Sequence, residues 1–142
     1  MTAEFIVAVH AIVFLNHKGC CVSSEEIAEN ICTNPARVRK VLARLKKAGL
    51  VGSKGGIEGG YYFTGKADSV SLNDIFDAVG ADIVNVKWRS GSQDIDCLIA
   101  CGMAGIMDDV FLQLNKSCAE TLSKITIAGI DNKLFGANGG KK

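Results

Sequence analysis

The sequence lacks the patterns on which several common protein classes depend. Its 142 residues include one proline, two histidines and six cysteines, yet no CxxC pair and no GxxxxGK[ST] phosphate loop occurs. Zinc ribbons, zinc fingers and P-loop nucleotide sites are therefore excluded. A cysteine nucleophile would need a neighbouring base, and the only histidines, His10 and His17, lie in an apolar segment. We expect no enzymatic activity.

Long hydrophobic runs are also missing. The longest apolar stretch, residues 5–15, is broken by His10 and is far shorter than the roughly 20 residues that a membrane span needs. The N-terminal segment has neither the basic start nor the small-residue cleavage site of a signal peptide. We therefore expect a cytoplasmic protein without a membrane partner, in which the cysteines are reduced thiols.

Charge is distributed unevenly along the chain, although the net charge is only +1. Residues 1–66 carry nine Lys/Arg against five Asp/Glu, whereas residues 67–142 carry seven against ten. Residues 37–54 contain seven basic side chains and no acidic one. A solubilising surface usually mixes both signs, so this segment favours a polyanionic partner, with a lysine-rich solvated face as the alternative.

The first half of the chain predicts three helices and a β-hairpin. Helices are expected over residues 4–15, over 24–30 after a cap at Ser23 or Ser24, and over 35–48 after a cap at Thr33 or Asn34. Strands over residues 50–53 and 60–64 flank a glycine-rich turn. Four glycines allow this turn to approach another surface closely: Gly55, Gly56, Gly59 and Gly60.

The second half predicts a helix over 72–79 capped by Ser71, a short strand or extended segment over 82–88, and a long helix over 100–124. The long helix carries an apolar stripe that so small a domain cannot cover, and pairing with a second chain would bury it. A last helix follows Thr126. We predict a mainly α fold with these divisions: a winged helix-turn-helix (1–66), a linking helix and sensor loop (67–99), a dimerisation helix and C-terminal helix (100–135), and a disordered tail (136–142).

The order helix, turn, basic helix, hairpin is typical of a winged helix-turn-helix that binds double-stranded DNA. The basic helix would enter the major groove, and the hairpin would contact the flanking minor groove or backbone. Arginine forks suit guanine edges, so Arg37 and Arg39 are expected to read bases. Lys40, Arg44 and Lys54 are expected to hold phosphates.

Three segments resemble the Rrf2 family of bacterial transcription regulators: SEEIAE at 24–29, LKKAGLV at 45–51 and GGIEGGY at 55–61. The resemblance covers residues 1–135 and implies a homodimeric regulator, most often a repressor, on a palindromic operator. It implies DNA contact by residues of the second helix, the basic helix and the wing, namely Ser24, Arg37, Arg39, Lys40, Arg44, Gly55, Gly56, Gly59, Gly60 and Tyr61. The wing has Lys54 where several members have an arginine.

The resemblance also raises the question of a sensor. Many members bind a [2Fe–2S] cluster through three cysteines in the loop before the long helix. Here only Cys97 and Cys101 lie there, and the next cysteine is Cys118. A cluster needs four ligands, so we expect no cofactor; the alternative is a cluster whose further ligands come from the second subunit or from Asp94 and Asp96. Cys97 and Cys101 are candidates for control by thiol oxidation. A small effector, or a winged-helix module that binds protein, is a further alternative.

Overall fold

A computed structural model describes residues 3–80 and 83–136 of the chain. Within these ranges six helices and one antiparallel hairpin confirm the mainly α winged-helix fold. The elements are α1 (Ala3–Lys18), α2 (Ser24–Ile31), α3 (Pro35–Lys47), β1 (Val51–Lys54), β2 (Gly60–Phe63), α4 (Leu72–Val79), α5 (Leu98–Ser123) and α6 (Ile127–Phe135). Residues 83–88 form no strand. The predicted tail lies, apart from Gly136, outside the described residues.

Side-chain caps fix where the short helices begin. Ser23, rather than Ser24, caps α2, because its hydroxyl accepts a hydrogen bond from the Glu26 N–H at 3.1 Å. Asn34, rather than Thr33, caps α3 in the same way. A reciprocal capping box joins Ser71 and Asp74 at the start of α4. Each cap satisfies backbone donors that would otherwise lack a partner at a helix start.

A single hydrophobic core joins the two ends of the chain. The buried stripe of α3 is fully enclosed, and it consists of Val38, Val41, Leu42 and Leu45. Ile127 of α6 belongs to the same cluster, as does Leu122 near the end of α5. The α6 helix returns to α1, where Asn16 Nδ2 donates to Asp131 Oδ2 at 2.7 Å. The C-terminal helix therefore braces the N-terminal half.

The wing is anchored to the segment between α1 and α2. Val22 and Tyr61 exchange two backbone hydrogen bonds of 2.8 Å, which add a short bridge to the β1–β2 hairpin. Gly60 has a φ of +145°, and a Cβ at this residue would lie 2.5 Å from the Val22 carbonyl oxygen. Only glycine fits there, so the glycine that the sequence assigned to turn flexibility also serves this close approach.

Helix α5 is 26 residues long and has one buried residue, Leu122. It meets the length and composition criterion for a membrane span, with a mean hydropathy of 1.2 over 18 residues. However, Asp108 and Asp109 lie near its middle, where a charge at a bilayer centre costs about 2.5–3.5 kcal/mol. The mid-helix carboxylates favour an interface with protein over one with lipid.

The linker before α5 is attached to that helix. Asn115 exchanges two hydrogen bonds with the backbone of Val84, at 2.8 and 3.1 Å. Arg89 forms an ion pair with Asp108. The loop before α5 also bonds the first turn of that helix, since Gln93 Nε2 donates to the Cys101 carbonyl at 2.7 Å. A conformational change in this loop would therefore be transmitted directly to α5.

Candidate nucleic-acid interface

The turn between α2 and α3 sets the two helices against each other. Cys32 closes α2 in the left-handed conformation with a φ of 65°, and its N–H bonds back to the last turn of the helix. The N–H of Thr33 donates to the Ala28 carbonyl at 3.0 Å. Ile27 and Ala28 of α2 are buried in the same core as the inner stripe of α3. This packing leaves the opposite side of α3 free for solvent.

We call that opposite side the outer row of α3. It consists of residues spaced by four, three and four positions, all exposed: Ala36, Lys40, Ala43 and Lys47. Within the described residues, neither lysine has a hydrogen-bond or ion-pair partner. Of these four residues only Lys40 is among the DNA contacts predicted from the sequence, although a helical projection centred on the buried stripe places all four on one side.

The remaining basic residues of α3 lie on its two flanks and bind other parts of the chain. On one flank, Arg37 pairs with Glu4 at 3.4 Å, and Arg44 Nη1 donates to the Val79 carbonyl at 2.8 Å. On the other flank, Arg39 lies 3.6 Å from a Glu25 carboxylate oxygen. These surface pairs are individually weak, so they orient the arginines without immobilising them.

The wing lies beside the flank that carries Arg39. Lys46 Nζ, on the same flank, donates to the Ser53 hydroxyl in β1 at 2.6 Å. From Ser53 the hairpin continues through Lys54, Gly55 and Gly59. Ile57, at the tip of the loop, is fully exposed. Ile57 is not among the DNA contacts predicted from the sequence. The wing and α3 thus form one continuous surface.

Ser24 occupies a more enclosed position than the other predicted contacts. Its side chain is buried, its hydroxyl donates to Glu25 Oε2 at 3.2 Å, and it accepts from Arg39 Nη1 at 3.3 Å. Ser24 therefore links α2 to the Arg39 flank of α3. Its contact with DNA stays a prediction.

Cys97 and Cys101 lie at the start of α5, one helical turn apart. Cys97 is the exposed N-cap residue. The backbone N–H of Ala100, and to a smaller extent that of Ile99, lowers the pKa of its thiol, with desolvation opposing, although no side-chain hydrogen bond closes the cap. Cys101 Sγ donates to the Ile95 carbonyl at 3.0 Å. The Cys97 thiol is thus more acidic than a free cysteine, and the Cys101 thiol is hydrogen-bonded to the loop.

A family model described as "Rrf2: Iron-dependent Transcriptional regulator" matches residues 1–132, which is most of the chain. The chain belongs to the Rrf2 family. It is therefore a transcription regulator with a winged helix-turn-helix, and regulators of this family bind DNA. The resemblance found in the sequence is confirmed.

Individual relatives agree with this assignment. YwnA of Bacillus subtilis (strain 168), assigned as an HTH-type transcriptional regulator, is 25% identical over 95% of this chain and 99% of its own length. A crystal structure of a protein assigned as a transcriptional regulator from Lactobacillus plantarum has a TM-score of 0.83 and 26% identity, covering 97% of this chain and 93% of that one. IscR of T. potens has a TM-score of 0.73 at 22% identity, covering 100% and 93%, and this likeness shows the fold alone.

The cysteines of this Rrf2-family chain do not fit a [2Fe–2S] cluster within one protomer. Among the described residues, no three Cys, His, Asp or Glu side chains converge as metal ligands. Cys118 lies 17 positions beyond Cys101 on the same helix, about 25 Å along its axis. Two cysteines on the first turn of α5 leave a cluster short of ligands.

The reactivity of Cys97 should depend on pH in the manner of a thiolate stabilised by a helix start. Because its pKa is lowered in the folded chain, we expect the rate of alkylation at Cys97 to reach half its plateau at a lower pH than in the urea-unfolded chain. Peptide mapping by mass spectrometry after timed labelling measures both profiles. A folded midpoint equal to or above the unfolded one would contradict the assignment.

Proposed function

We propose that the chain binds a palindromic duplex operator as a homodimer and represses transcription by occupying promoter DNA in the cytoplasm. The observation that carries the proposal is the continuous surface of α3 and the wing, where residues 37–54 contribute seven basic side chains and no acidic one. Such a surface suits a phosphate backbone. The function is binding rather than catalysis.

The contacts we propose follow the two elements of that surface. Residues of α3 enter the major groove, and the wing reaches the adjacent backbone or minor groove. Support comes from exposure, because Arg39, Lys40, Arg44 and Lys54 are all solvent-accessible. The full set proposed to touch DNA is Ser24, Arg37, Arg39, Lys40, Arg44, Lys54, Gly55, Gly56, Gly59, Gly60 and Tyr61.

Helix α5 supports the homodimer. It exposes apolar side chains at spacings of four, three, four and four residues, which we call the α5 row: Ile99, Met103, Ile106, Val110 and Leu114. A second copy of the helix would bury this row in the manner of a coiled-coil seam. We propose that residues 1–66 bind DNA, 67–99 sense a signal and 100–135 hold the two protomers together.

Oxidation of Cys97 and Cys101 is our proposed signal. The two thiols lie at the junction of the sensor loop and α5, and the loop is hydrogen-bonded to the first turn of that helix. An external peroxide would take the two electrons and two protons from the thiols and be reduced to water or an alcohol. The resulting disulfide between positions 97 and 101 would require the first turn to rearrange. Because α5 is the proposed dimer element, the rearrangement would alter the separation of the two winged helices.

Selection from a random duplex pool tests the proposed function. We expect the purified chain to enrich one palindromic sequence whose half-sites are one helical turn apart, about 34–36 Å, or a multiple of it. Fluorescence anisotropy on the enriched duplex then gives the affinity, before and after mild thiol oxidation. Absence of enrichment over several rounds, with the folded dimer verified, would overturn the proposal.

A further inference from the structure

We propose that the outer row of α3 reads the methyl groups of thymine, through Ala36 and Ala43. The inference rests on the proposed DNA-binding function and deepens it by naming the base chemistry that the groove must offer. The two alanines are seven residues apart, so they are separated by about 10.5 Å along the helix. On the groove floor, which runs obliquely to the duplex axis, that distance spans about two to three base pairs. Each half-site should therefore present two thymines about two to three pairs apart.

The first support is the chemistry of the outer row. Both alanines are exposed on the side of α3 directly opposite its buried stripe, the side that faces the groove floor when the helix enters. A Cβ methyl cannot hydrogen-bond a base edge, but it contacts the 5-methyl group of thymine favourably. Lys40 lies between the alanines, and its long, flexible side chain can reach past them to a phosphate at the groove wall.

The second support is the position of the arginines. Arg37 and Arg44 lie on one flank of α3, and Arg39 lies on the other, each directed toward its own protein partner. A flank of a helix in the major groove faces the groove walls, where the phosphates lie, rather than the floor. The sequence alone favoured Arg37 and Arg39 for base edges. Their flanking positions favour phosphate contact, which leaves the floor to the outer row.

Deoxyuridine tests this inference because it removes the thymine methyl and keeps the Watson–Crick edge. In the selected operator, each contacted thymine replaced by deoxyuridine should weaken wild-type binding about fourfold, the value expected for losing one buried methyl group. Four replacements in the palindrome should together weaken binding on the order of 10²-fold. Deoxyuridine in the spacer between half-sites serves as the matched control and should leave the affinity unchanged.

The variant Ala43→Gly assigns the contact to a residue. It should become insensitive to deoxyuridine at one thymine of each half-site while it keeps the fourfold response at the other. Circular dichroism checks that the variant is folded, and the wild-type measurements stand without it. Selected half-sites without thymine, or wild-type binding unaffected by deoxyuridine, would overturn the methyl readout and leave the DNA-binding function intact. Failure to bind any duplex would overturn both.

Discussion

Replacing Lys40 and Lys47 with glutamate is expected to weaken operator binding by about 10³-fold or more at moderate salt. In a dimer the change removes four cations from the outer rows and adds four anions close to phosphates. Each lost phosphate contact also forfeits counterion release, and the added carboxylates are repelled. Because neither lysine has a partner among the described residues, the free energy of unfolding should change little. Fluorescence anisotropy measures the affinity, and thermal denaturation checks the fold.

The matched control is the pair Lys87→Glu and Lys133→Glu. Both residues are exposed and lie outside α3 and the wing, and the pair changes the net charge by the same amount. Operator affinity should fall far less than in the Lys40/Lys47 variant, because the effect of net charge alone is long-range and screened. Equal losses of operator affinity in the two variants would mean that α3 contributes no more to DNA binding than the rest of the surface.

A second large effect is expected at the centre of the α5 row. Ile106 is 57% exposed in the single chain, and the proposed dimer would bury it against its symmetry mate. Ile106→Glu would place two like charges in that interface, at a cost on the order of 3–5 kcal/mol. We expect the variant to be monomeric at micromolar concentration by light scattering. Operator affinity should fall with it, since each half-site would be bound alone.

Leu112→Glu provides the matched control for this prediction. Leu112 is 69% exposed on the same helix, but its position on the helical projection places it away from the α5 row. This variant should remain a dimer. A dimeric Ile106→Glu chain, or dissociation of both variants, would show that the row does not form the interface.

Much of the fold could be predicted from local sequence because its signals are local. The 3.6-residue period identified the buried stripe of α3, and Pro35 after Asn34 indicated where that helix begins. The long helix was also expected, although it starts at Leu98 rather than at residue 100. The N-cap residue is Cys97, which forms no side-chain cap bond, so its residue type did not mark the start of the helix.

The contacts of the site could not be predicted because they join distant residues. Arg37 meets Glu4, and Arg44 meets the Val79 carbonyl, 33 and 35 positions away. The sequence of α5 predicts one apolar stripe, yet the structure divides its apolar residues between two sides of the helix. Phe111 and Leu122 face the body of the protein, whereas Ile106 is exposed. The sequence pattern alone does not distinguish the side of α5 that packs against the protein from the side proposed to meet a second chain; the tertiary packing does.

The most direct test of whether α3 and the wing bind the sugar-phosphate chains is the salt dependence of the affinity. The affinity for the selected operator is measured from about 50 to 200 mM salt, beside that for a scrambled duplex of equal length. For six or more phosphate contacts per dimer, the logarithm of the association constant should fall linearly with the logarithm of salt concentration, with a slope of about −5 or steeper. The slope should become shallower in the Lys40/Lys47 variant. An affinity that does not depend on salt concentration, or that is the same for the scrambled duplex, would contradict this interface.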